Sequence, residues 1–161
     1  MREPDLMHSE WRCAACGPVP PLHVAEHINV DVLAAVVAAV RNGGTGTPLW
    51  CLWPLPTNWT VTGVAWAGDQ RGGARASALA VSGPTPLGGG PADILFVAEE
   101  PGLGLGTRYA GIPGPDPGLS LSEAMRAVPH AKIKADGHPT PLWSIKSPDD
   151  RSAYAGEARG M

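Results

Sequence analysis

Aromatic residues other than tryptophan are nearly missing from this chain, with one Phe and two Tyr in 161 residues. Charge is scarce as well, at 17% with a net of −3. Low charge closes the high-charge route to disorder. The scattered Lys and Arg form no patch or stripe of the kind a nucleic-acid partner requires. Long apolar runs are absent too. The longest, Val32 to Val40, has nine residues, against the ~20 of a membrane helix. It follows Glu26 and Asp31 rather than the basic stretch that opens a signal peptide. Cysteine is held to three, an odd count that gives no disulfide framework. Together these absences predict a cytoplasmic protein with neither membrane nor nucleic acid among its partners.

What the chain has instead is glycine (21) and proline (18), about a quarter of its residues and roughly twice the usual share. Val, Ile, Leu and Phe together reach only about a fifth, near the edge of what a packed core needs. Six tryptophans and many alanines carry the rest of the apolar mass. This composition fits a compact, loop-rich domain.

One stretch reads as a good helix, roughly Val30 to Arg41. Asn29 can cap it, Asp31 lies in its first turn and Gly43-Gly44 ends it. Apolar residues cover nearly its whole surface, which predicts packing on more than one side. Beyond Thr47 the pattern changes to short runs bounded by turn formers, as half-buried strands are. They are Thr60–Trp66, Arg75–Val81, Asp93–Ala98, Ala131–Ala135, Leu142–Lys146 and Ser152–Ala158. The run at 93–98 (DILFVA) is continuously apolar and reads as a central strand. The runs AKIKA and LWSIK alternate and predict one wet face each, with DGHPTP as the connection between them. No regular element fits 101–118. The expected fold is therefore α+β, mostly antiparallel sheet, with one N-terminal helix and long Gly/Pro-rich loops. Residues 1–28 read as a separate front segment and 29–161 as one β-rich domain.

Three places carry candidate chemistry. At the front, Cys13-x-x-Cys16 ends in Gly17, whose permitted positive φ lets two thiolates face one ion. His23 and His27, spaced as H-x3-H, would complete a zinc-type donor set. Their spacer of six from Cys16 is shorter than the ~12 of a zinc finger. A reduced pair without a ligand and a redox pair stand as alternatives. The second place is the Trp-Pro segment, where Trp50, Trp53 and Trp59 fall within ten residues. These are anchors for a partner protein or large pieces of core where Phe and Tyr are scarce. The third is Glu99-Glu100 with Gly102, Gly104, Gly106 and Arg108, a loop that can hold a small anionic ligand through backbone N–H groups and Arg108. Its glycines run G-x-G-x-G, not the dinucleotide fingerprint, and Pro113, Pro115 and Pro117 forbid a long helix after it. No Walker loop, HExxH, nucleophile elbow or Ser-His-Asp order is present.

These residues also carry a resemblance. WxCxxCGxVxPLH, WPLPxxW, TGVAWAGD, SGPxPLGG, VAEEPGLGLGxRYAG, PHAK and PTPLW are similar to motifs of an uncharacterised actinobacterial family with a zinc-ribbon-like front and a β-rich body. Some members carry the label phosphotransacetylase, for which no site is visible here. The resemblance implies an upstream Cys-x-x-Cys before Met1 and a continuation past Tyr154–Ala158. By that measure the chain is shortened at both ends, and Cys13 and Cys16 are half a metal site. The resulting expectation is a non-catalytic binding or regulatory module with a partial zinc ribbon. The alternative is an enzyme or binder of a small phosphorylated or acyl metabolite at the Glu99–Arg108 loop.

Overall fold

The computed structural model describes residues 1–15, 17–42, 47–69, 72–84, 92–114 and 118–158. The chain forms two compact units, Met1–Glu100 and Pro101–Met161.

The first unit is a four-stranded antiparallel sheet with one helix against it. A small hairpin, β1 (Arg12–Cys13) and β2 (Gly17–Pro18), leads to β3 (Leu22–Val24). Helix α1 (Val30–Asn42) follows, then β4 (Thr60–Asp69), β5 (Gly73–Gly83) and β6 (Ala92–Glu99). The sheet order is β3-β4-β5-β6, with every pair antiparallel. Residues 1–28 thus contribute a strand to this sheet.

Asn29 caps α1 as its sequence position predicts: Oδ1 accepts the Val32 N–H at 2.8 Å. Asp31 in the first turn and Arg41 in the last complement the helix dipole. Five valines lower its intrinsic helix propensity against the four alanines that raise it, and packing adds the rest. Val36 and Val40 join Val64 and Ala74 in a buried cluster, with Leu33, Leu49 and Trp66 packed around it. The expectation of packing on several sides is corrected here. Val30, Ala34, Ala35, Val37 and Ala38 are exposed, and a single stripe does the work.

β5 is the centre of the sheet. Ala74, Ala76 and Ala78 are buried, and so are Ser77, Leu79 and Val81, so both of its faces are covered. The β4–β5 pairing shifts register between Val61 and Gly63 and between Ala67 and Gly68, the mark of bulges. The continuously apolar run at 93–98 is the second correction. It forms β6, an edge strand, rather than a central one.

The second unit is a three-stranded antiparallel sheet with two short helices. Its elements are α2 (Leu105–Ala110), α3 (Gly118–Ala124), β7 (Ala131–Ala135), β8 (His138–Ile145) and β9 (Ala153–Ala155), in the order β7-β8-β9. Helix α2 lies where no element was expected. Gly104 and Gly111, both left-handed at φ 82° and 71°, bracket it, and the prolines that forbid a long helix begin only at Pro113. The β7–β8 connection is also shorter than DGHPTP. Asp136 and Gly137, at φ 48° and 79°, form the turn alone, and HPTP already belongs to β8. Pro139 and Pro141 are tolerated there because neither lies within the β8–β9 pairing, which covers Trp143 to Ile145. Of the two alternating runs, LWSIK keeps a wet face through Ser144 and Lys146, while AKIKA is exposed on both faces up to Lys134.

Candidate functional site

At the front, Cys13 is half-buried in β1 and sits opposite Gly17, whose φ of 80° is the left-handed value the knuckle reading requires. Cys16 lies outside the described residues. His23 is committed to the sheet. Its ring stacks on Trp66 at 4.2 Å and 19°, directly across from it in register. Its Nε2 lies 3.2 Å from the Gly68 carbonyl, so that nitrogen carries the proton and donates. His27 is exposed. Among the described residues, no three His, Cys, Asp or Glu side chains come together to hold a metal ion. Cys13, His23 and His27 do not form a ligand set by themselves.

The Trp-Pro segment has fixed ends and an open middle. Thr47 is buried, the Pro48 carbonyl accepts the Ser77 hydroxyl at 2.6 Å, and Leu49 packs against the α1 cluster. At the far end Trp59 lies over Gly83, where a Cβ would run into the indole. Asn58, at φ 66°, turns the chain just before it. Between these anchors Trp50 is half-buried, while Trp53 is 90% exposed. The three tryptophans therefore divide, with Trp59 serving the sheet and Trp53 facing solvent.

Cys51 sits beside Trp50, and its thiol donates to the Leu52 carbonyl at 3.4 Å. Partial burial of the sulfur pushes the thiol up from its ordinary range, outweighing that hydrogen bond. A raised thiol holds less thiolate at neutral pH. Peptide mass spectrometry after iodoacetamide treatment should therefore find Cys51 alkylated more slowly than a free thiol such as glutathione at pH 7.5. The gap should narrow as pH rises.

The third candidate divides at the boundary between the units. In the first, Glu99 is half-buried at the end of β6, and Glu100 pairs with Arg75 at 2.8 Å while its N–H donates to the Arg75 carbonyl. In the second, Gly102 and Gly104 are left-handed, Gly106 is half-buried within α2 and Arg108 is exposed. Thr107 ties this loop to itself: its hydroxyl lies within reach of the carbonyls of Gly104 and Gly114 and donates to the nearer, Gly114 at 2.8 Å. A depression in the first unit, lined by Trp11, Val19, Asp69 and Arg75 among others, holds about 110 Å³. Small-molecule pockets run from roughly 300 Å³ upward.

The sequence model of one family, described as a family of unknown function, matches residues 1–161. The chain belongs to DUF6758. The likeness to an uncharacterised family read from the motifs is correct at that level. No curated protein and no solved structure matches this DUF6758 chain. No described helix is long and apolar enough to cross a membrane. Two features of this DUF6758 chain had no signal in the sequence: the Arg75–Glu100 pair, 25 residues apart, and the seat that Gly83 provides for Trp59.

Proposed function

We propose that this chain is a non-catalytic binding module that presents Trp53 to a partner protein. One observation carries the reading: an indole 90% exposed at the crest of a segment held at both ends. A large apolar ring in water gains strongly from burial against a partner, and tryptophan is enriched among the residues that dominate interface energies. Pro48, Pro54 and Pro56 fix φ along the segment, so little chain entropy remains to be lost on docking.

Affinity capture from cell extract with the wild-type chain and with Trp53→Ala tests the reading. The variant should keep its unfolding free energy within ~0.5 kcal/mol, as surface substitutions do. It should lose a captured protein by a factor of about 30, the effect of a 2 kcal/mol hot spot. An identical set of captured proteins in both samples would overturn the reading, and a large loss of stability would place Trp53 in the core.

A further inference from the structure

We infer that two copies of this chain join through β6, edge to edge and antiparallel about a two-fold axis. The result is one eight-stranded sheet, four strands from each copy.

The inference starts from a contrast among sheet edges. A strand edge is a row of unpaired N–H and C=O groups, and chains blunt it with short strands, lysines, prolines or bulges. The other edges here are blunted. β3 and β9 have three residues each, and β7 carries Lys132 and Lys134. β6 has none of these devices. It runs eight residues without Pro or Lys, and its register with β5 is unbroken. Among the described residues no strand lies beyond it. It is apolar on both faces, with Ile94 and Phe96 on one and Leu95 and Val97 on the other, so no charge at its middle opposes a second strand. Ile94 and Leu95 are exposed.

The occupant follows from register and charge. Glu100 donates its N–H to Arg75 in β5. By alternation, Ala98, Phe96 and Ile94 also point their backbone groups at β5, while Val97, Leu95 and Asp93 point theirs outward. An outward set of alternate residues can pair with its own copy about a two-fold axis. Centring that axis on Leu95 puts Leu95 opposite Leu95 and Asp93 opposite Val97, so no like charges meet. Centring it one residue on would oppose Asp93 to Glu99, at a cost. Asp93 already accepts the Ser82 hydroxyl, and Glu100 is paired with Arg75, so neither carboxylate needs the open edge. Two strands of this length make a small interface, and the dimer should be reversible.

Sedimentation of the full chain across micromolar to near-millimolar concentrations tests this. The expected result is a monomer–dimer equilibrium that weakens by about tenfold or more in Leu95→Lys, where two lysines would face each other. The far-UV circular dichroism should be unchanged. A second variant, Leu95→Cys, should give a disulfide-linked dimer on oxidation, beyond any formed by the parent chain. Directly opposed residues lie within disulfide reach. Val24→Cys, on the β3 edge, should not. A chain that stays monomeric at every concentration overturns the inference. So does a dimer that survives Leu95→Lys and fails to cross-link at Leu95→Cys.

Discussion

Gly68→Ala should cost the first unit about 3 kcal/mol or more, in the range where single substitutions unfold small domains. Gly68, with φ 156°, sits opposite Ala74 at the bulge where Arg75 is the extra residue of β5. A Cβ there would strike the Gly73 carbonyl oxygen, with the Gly73 carbonyl carbon at 2.8 Å and the Ala74 Cα at 2.9 Å. All of these are backbone atoms, so no side chain can swing away. Nor can Gly68 retreat easily. Its N–H donates to the Pro21 carbonyl at 3.1 Å, and its own carbonyl accepts from His23. Relief on one side would therefore break the attachment of β3 on the other. Urea unfolding followed by tryptophan fluorescence should show the midpoint collapse in Gly68→Ala. Gly72→Ala, where the added carbon meets only Asp69 Oδ1 at 3.5 Å, should stay close to wild type.

The second large effect belongs to the other unit. Trp143→Ala should cost about 3–5 kcal/mol, as truncation of a buried tryptophan does. Trp143 is 8% exposed near the end of β8, its cross-strand partner in β9 is the small Ala155, and its Nε1 donates to the Ala127 carbonyl at 3.0 Å. The indole thus fills the space between the sheet and the α3 end and satisfies a carbonyl there. A unit of this size has little stability to spare. Amide hydrogen exchange across β7 and β8 should speed up markedly in Trp143→Ala even without denaturant, while β4 and β5 of the other unit exchange as in wild type. Trp143→Phe keeps most of the ring and drops only the hydrogen bond. It should remain folded, weakened by about 1 kcal/mol or somewhat more.

Elements whose cause is local were legible in the sequence. Asn29, Asp31 and the terminal glycines located α1 nearly to the residue, and AKIKA is β7 without adjustment. The position of β6 was not legible, because a continuously apolar run reports two apolar faces and says nothing about how many neighbours the strand has. Helix α2 was hidden by prolines that in fact begin beyond its end. The sequence grouped Trp50, Trp53 and Trp59 as one patch. Which of them faces water depends on Gly83, Ser77 and α1, all far away in the chain. His23 looked like a ligand because histidine spacing is visible, whereas a stacking partner 43 positions later is not.

The strand order in each unit follows the order of synthesis, β3-β4-β5-β6 and then β7-β8-β9, with no crossover. Each new strand lays itself against the one made just before it, and the two-residue turn at Asp136-Gly137 is the shortest of these steps. Loop closure is cheapest under such an arrangement, and topologies rich in local pairing reach their transition states quickly. Only β3 departs from this pattern, since it meets β4 across α1 and the Trp-Pro segment, so β4, β5 and β6 can pair hairpin by hairpin while β3 must close a long loop.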